Sequence, residues 1–243
     1  MFCRFFVFLC FAVFNEVVAV NVENLPAFEN LNGFWPLDEQ HQLNEVVKNS
    51  TTLVLGAIEV PQSGPFGGSS YSVATNGDNL AAMNISKMAD QSWTIGFYFS
   101  STNGGNPSMM CLDDVFCIEM APPKNLVIWK KGLDGLWKNW DICLFQNSND
   151  WNFIAISYDH IAGNLFVFGN EGKIVATSIS RFRMFLPEPV PVVIGRRYDG
   201  TSTMTTNDRI SCLFFYNTTL EMVDVATIPQ GCQFKGSQPV TSK

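Results

Sequence analysis

Trp93-Thr94-Ile95-Gly96-Phe97-Tyr98-Phe99 reads as a β-strand and decides the fold class. Large apolar residues stand at every second position, which in a pleated strand puts Trp93, Ile95, Phe97 and Phe99 on one face. Outward along the chain the same kind of segment recurs. Trp151 to Tyr158 is a second strand, with its turn in Asp159-His160-Ile161-Ala162-Gly163-Asn164. Leu165 to Phe168 and Lys173 to Ser178 flank Gly169-Asn170-Glu171-Gly172, a hairpin signal. Leu126 to Trp129 is a short apolar run closed by Lys130-Lys131-Gly132, Val190 to Ile194 runs into Gly195, and Ile210 to Tyr216 alternates again. No ten-residue amphipathic helix separates these strands, which argues against a parallel α/β sheet. The expectation is an all-β protein: an antiparallel two-sheet jelly-roll sandwich with one short helix late in the chain, over Leu220 to Ala226.

The N-terminus has a separate character. Arg4 precedes the apolar run Phe5 to Phe14, and Val17-Val18-Ala19 offers short residues at the last and third-last positions of a cleavage site. Residues 1–19 read as a secretory signal whose apolar run is too short to span a bilayer. Residues 20–32 then form an extension, 33–234 the domain, and 235–243 a polar tail. The expected mature chain, of about 220 residues, suffices for one large core. It is expected to be exported, without membrane insertion.

Fifteen basic against 22 acidic residues give a net charge of −7. The longest basic runs are Lys130-Lys131 and Arg196-Arg197, so nucleic acid and anionic membranes are poor candidate partners. Of the seven cysteines, Cys3 and Cys10 leave with the signal. Cys111, Cys117, Cys143, Cys212 and Cys232 remain, an odd number in an oxidising compartment. The unpaired thiol is either buried and inert or bridged to another molecule, which leaves a disulfide-linked oligomer open.

Several segments together resemble laminin-G-like domains of the concanavalin A-like lectin and glucanase superfamily. Gly33-Phe34-Trp35-Pro36-Leu37-Asp38 is similar to the opening strand and Gly64-Pro65-Phe66-Gly67-Gly68 to the loop after it. Trp93 to Tyr98 is similar to the first long core strand, and Trp151 to Asp159 to the central hairpin. Val193-Ile194-Gly195-Arg196, followed by Arg209 to Asn217, is similar to the closing segment. The resemblance implies that Cys212 pairs with Cys232. Similarity to the pentraxins implies calcium ligands at Asp113, Asp114 and Asp199. Arg197 and Tyr198, however, stand where that family has a carboxylate and an amide, so at most one weakly held calcium is expected. Otherwise these aspartates are solvated turn residues.

No catalytic pattern is complete. The glucanase Glu-x-Asp-x-x-Glu strand is missing, Glu221-Met222-Val223-Asp224 has the wrong spacing, and Gly67-Gly68-Ser69-Ser70-Tyr71 does not make a nucleophile elbow. The expectation is a protein that is not an enzyme and needs no cofactor beyond that weak calcium. Trp137 and Trp140, read as lying on a loop with Trp129 in the core, are the candidate ligand-binding aromatics. Sequons at Asn49, Asn84 and Asn217 become glycosylation sites if the chain is exported, with Asn217 expected to be the most exposed. The functional expectation is a secreted recognition or adhesion module for a glycan or a matrix or cell-surface protein. The alternative is a disulfide-linked structural component of a matrix or envelope.

Overall fold

A computed structural model describes residues 25–37, 44–47, 57–60, 64–65, 70–73, 81–86, 88, 91–101, 108–121, 125–143, 151–169, 175–195, 197–201 and 208–232. The expected signal over 1–19, the tail over 235–243 and Asn49 lie outside these residues. Fourteen strands are described: β1 (Leu31–Trp35), β2 (Ala57–Val60), β3 (Ser70–Val73), β4 (Ala81–Ile85), β5 (Trp93–Ser100), β6 (Ser108–Leu112), β7 (Phe116–Ala121), β8 (Asn125–Lys131), β9 (Trp137–Cys143), β10 (Asn152–Asp159), β11 (Asn164–Gly169), β12 (Val175–Ile179), β13 (Val190–Ile194) and β14 (Arg209–Tyr216). One helix, α1 (Met222–Gly231), follows them.

Every described pairing is antiparallel, in two sheets. One runs β12-β11-β10-β5-β14-β3-β2, with β1 also on β14, and the other runs β4-β13-β6-β7-β8-β9. This is the two-sheet jelly-roll sandwich expected from the alternating strands. Trp93, Ile95, Phe97 and Phe99 all enter the core between the sheets, where Ile154 and Ile156 of β10 face Phe116, Ile118 and Ile128. The Trp93 ring meets Phe116 edge-on at 6.0 Å and Tyr158 at 5.7 Å.

A second apolar layer lies behind the larger sheet. Phe34, Phe153, Phe214 and Tyr216 pack there against Val225 and Ile228 of α1 and against Leu25. The central strands are therefore buried on both faces, so alternation alone describes only half of their packing. The folded unit also starts earlier than the expected boundary at 33, since Leu25 is buried and β1 begins at Leu31.

Strict alternation over Ile210 to Tyr216 does not hold. Cys212 sits at φ 52° in a bulge, and its N–H donates to Pro36 O at 2.9 Å instead of to β5. The extra residue switches the parity of the strand. Ile210, Leu213 and Phe215 thus face the inter-sheet core, while Cys212, Phe214 and Tyr216 face the second layer. There Cys212 bonds Cys232, just past α1, the pairing that the family resemblance implied. Cys111 bonds Cys117, its cross-strand partner in the β6–β7 hairpin, with Cα atoms 4.1 Å apart. The helix starts two residues later than expected because Leu220 stays extended. Its N–H is bound by Thr94 Oγ1 and Ser157 Oγ, both at 3.0 Å.

Candidate functional site

The expected aromatic pair is split. Trp137 and Trp140 belong to β9, a strand and not a loop, and residues three apart in a strand point to opposite faces. Trp140 turns inward and packs on Phe182, with ring centroids 5.1 Å apart. Trp129, read as core, turns outward instead. The pairings Lys131↔Trp137, Trp129↔Asn139 and Cys117↔Trp129 place Trp129, Lys131, Trp137 and Asn139 on the outer face of the six-stranded sheet. The turn that sets this register is Gly132 to Leu136. Gly135 adopts φ 77°, Gly132 N–H donates to Leu136 O at 2.8 Å, and Asp134 Oδ1 accepts from Leu136 N–H at 3.1 Å. Asp134-Gly135 is the turn dipeptide that could have signalled this hairpin, and it was not read as one.

After β13 the chain turns at Gly195, φ 84°, and folds back over the outer face. Tyr198 lies flat on Trp129, centroids 3.8 Å apart and planes 18° apart, and Trp137 meets it edge-on at 5.6 Å. Beneath this stack Glu119 of β7 is buried. One of its oxygens accepts from Trp129 Nε1 at 3.0 Å, and the other from Arg197 Nε at 3.0 Å. Arg197 also approaches Asp199 at 3.9 Å and lies 5.4 Å from the Tyr198 ring. Burial works to lower the Arg197 pKa, but the charge and hydrogen bond of Glu119, aided by Asp199, leave it raised. The Thr201 hydroxyl, donating to Asp199 Oδ1 at 2.6 Å, leads the causes that hold that carboxyl below its ordinary value. The result is a braced ledge of three half-buried rings with polar groups at its margin. Glu119 and Tyr198 were not read as parts of an aromatic ledge, because the loop that carries Tyr198 and Arg197 over Glu119 returns from a distant strand.

The three acids that the pentraxin resemblance offered as calcium ligands are not grouped as a metal site. Asp113 and Asp114 form the β6–β7 turn, with Asp113 at φ 49°. Asp199 is engaged by Arg197 and Thr201, and among the described residues no group of three acid, histidine or cysteine side chains is placed to hold a metal ion. Among the sequons, Asn84 is exposed, on edge strand β4 of the same sheet. Asn217, expected to be the most exposed, is half-buried with Oδ1 sealed from solvent, and its backbone N–H donates to Asn30 O at 2.9 Å. The two disulfides use four of the five cysteines beyond the expected signal, leaving Cys143 at the end of β9.

No protein-family model matches the chain, and no curated protein sequence matches it. Solved structures do. Domain 4 of AbnA, an extracellular arabinanase of Geobacillus stearothermophilus described in complex with arabinotriose, superposes with a TM-score of 0.60. It is 15% identical, over 82% of this chain and 98% of that one. A botulinum neurotoxin type C chain, whose cell entry is described as dependent on two ganglioside molecules, gives 0.57 at 11% identity. The match covers 85% of this chain and 52% of the toxin chain, so this chain spans about half its length. The CBM40 module of a Ruminococcus gnavus sialidase gives 0.50 at 13% identity, over 71% of this chain and 95% of that module. With the sheet topology above, these likenesses define the fold as a concanavalin-like β-sandwich.

Proposed function

We propose that this protein is a secreted, non-catalytic glycan-recognition module, and that Trp137 and Tyr198 form its binding ledge. The observation that carries this reading is the Trp129–Tyr198–Trp137 cluster on the outer face of the smaller sheet. Half-exposed rings present flat apolar area beside hydrogen-bonding groups, the combination that a sugar ring requires. Glu119 fixes Trp129 and Arg197 from below, so the ledge is ordered before any ligand arrives, which lowers the entropic cost of binding. Glycan-binding proteins among the structural neighbours support the reading by analogy of fold.

The two disulfides and the apolar N-terminal run support export through an oxidising compartment, with residues 1–19 removed and Asn84 as the favoured glycosylation site. A laminin-G-like kinship belongs to the same proposal. Screening the secreted protein on a glycan array, beside Trp137→Ala, tests it; retention of specific sugars that this variant loses is the expected result.

Cys143 favours a second reading, a structural component linked through that thiol. Non-reducing electrophoresis of secreted material separates the two, since disulfide-linked multimers support this reading and monomers count against it.

A further inference from the structure

At one end of the sandwich, turns from both sheets meet the chain over 181–186. Phe182 N–H donates to Gly163 O at 2.6 Å and Met184 N–H to Tyr158 Oη at 3.2 Å, which ties this segment to the β10–β11 turn. Two adjoining clefts result, of about 390 and 330 Å³. The first lies toward the β8–β9 turn and the second toward Ile161, and both share Arg183 and Phe185. The side chains at their rims stand out in water: Leu133 is 94% exposed, Ile161 92% and Phe185 59%.

Cations converge on the same clefts. Lys130, Lys131 and Arg183 line the first, and among the described residues none of the three is ion-paired. Lys130 lies directly opposite Lys138 across β8 and β9, a like-charge pair that costs stability. Burial first, and Lys138 second, lower the Lys130 pKa. Unpaired positive charge is thus gathered at one end of a chain whose net charge is −7.

We infer that this end of the molecule docks on an anionic lipid surface. Leu133, Ile161 and Phe185 enter the headgroup region while Lys130, Lys131 and Arg183 meet the anionic headgroups. A soluble acidic glycan satisfies the cations but leaves Leu133 and Ile161 in water. A lipid surface engages both sets at once, and projecting turn tips suit a soft interface better than a matched protein face. The short run Lys130-Lys131 argued against anionic membranes in the linear sequence; the fold adds Arg183 from far along the chain. This inference does not rest on the glycan reading: of its residues only Lys131, whose Nζ lies 5.8 Å from the Trp137 ring, borders the aromatic ledge.

Co-sedimentation with vesicles tests it. Three compositions serve: phosphatidylcholine alone, and phosphatidylcholine mixed equally with phosphatidylserine or with phosphatidylglycerol. The expected result is binding to both anionic mixtures, weak binding to phosphatidylcholine, and loss of binding as salt is raised. Lys131→Gln with Arg183→Gln lowers the partition coefficient roughly thirtyfold. Leu133→Asp with Ile161→Asp abolishes binding to the same vesicles, with an unchanged thermal midpoint because both side chains are exposed. Folded protein that ignores anionic vesicles overturns the inference, as does vesicle binding that survives the Leu133 and Ile161 changes. Retention on heparin or polyglutamate that depends on the cations but not on those two tips also overturns it, and points to a soluble polyanion or acidic protein as the partner.

Discussion

Tyr198 lies against Trp129 with ring centroids 3.8 Å apart and planes 18° apart, joining a loop after β13 to β8, the strand next to the edge of the smaller sheet. The contact converts a plain sheet face into a shaped one. Glu119 holds both sides of it, through the indole of Trp129 and the guanidinium of Arg197. This brace is the first place where the account can be probed.

Glu119→Ala leaves the Trp129 indole N–H and the Arg197 guanidinium without their shared acceptor. Charged hydrogen bonds of this kind are worth about 1.5–3 kcal/mol, and partial exposure of Arg197 puts the loss toward the lower end. Chemical denaturation of the variant, with an accompanying fall in near-ultraviolet circular dichroism from the loosened rings, measures it. Glu119→Gln, which can still accept from one donor, loses less.

Gly96 has no room for a side chain. A Cβ there meets Phe214 Cζ at 2.2 Å and the Ile154 carbonyl oxygen at 2.9 Å. Gly96→Ala therefore pushes Phe214 out of the second layer, and a cost of about 1–3 kcal/mol or more in urea unfolding is expected. An unchanged midpoint contradicts the packing between β5 and β14.

The Cys212–Cys232 bond closes a stretch with a sequence separation of 20 and clamps α1 to the bulge in β14. Cys232→Ala is expected to cost about 3 kcal/mol by loop entropy. Cys117→Ala is expected to cost less, since the Cys111–Cys117 bond spans a separation of only 6. Thermal midpoints of the two variants give the order.

Alkaline pH offers a probe that needs no mutation. Burial raises the pKa values of Tyr98 and Tyr216 above 10.0, with Asp224 adding to the effect at Tyr216. Because the folded state holds these protons more tightly than the unfolded chain, their contribution is intact below pH 10.0 and is lost as pH climbs toward the folded-state values. Absorbance of ionised tyrosine is expected to show Tyr98 and Tyr216 titrating only together with unfolding.

The inter-sheet core was legible in the sequence because Trp93, Ile95, Phe97 and Phe99 keep period two and all point into it. The second layer was not, because Phe214 and Tyr216 fall into it only after the bulge at Cys212 shifts the strand by one residue, and nothing local announces a bulge. Strand β9 was read as a loop because Trp137-Lys138-Asn139-Trp140-Asp141 is an edge segment with a largely exposed outer side and no apolar alternation. The acids at 113, 114 and 199 looked like a ligand set in one dimension. In three, Asp199 is taken up by Arg197 and Thr201. Long-range placement, and not residue chemistry, was the missing information at each of these points.

The central claim is that the outward ring, Trp137, binds a glycan while the inward ring, Trp140, only fills the core. Titration of the secreted protein with the best glycan from an array, followed by calorimetry, tests it directly on wild type, Trp137→Ala, Tyr198→Ala and Trp140→Phe. About tenfold weaker binding is expected for the first two variants in protein that remains folded, and near-normal affinity with a lowered thermal midpoint for Trp140→Phe. Affinity untouched by both Trp137→Ala and Tyr198→Ala, or no glycan bound by the folded wild-type protein, contradicts it.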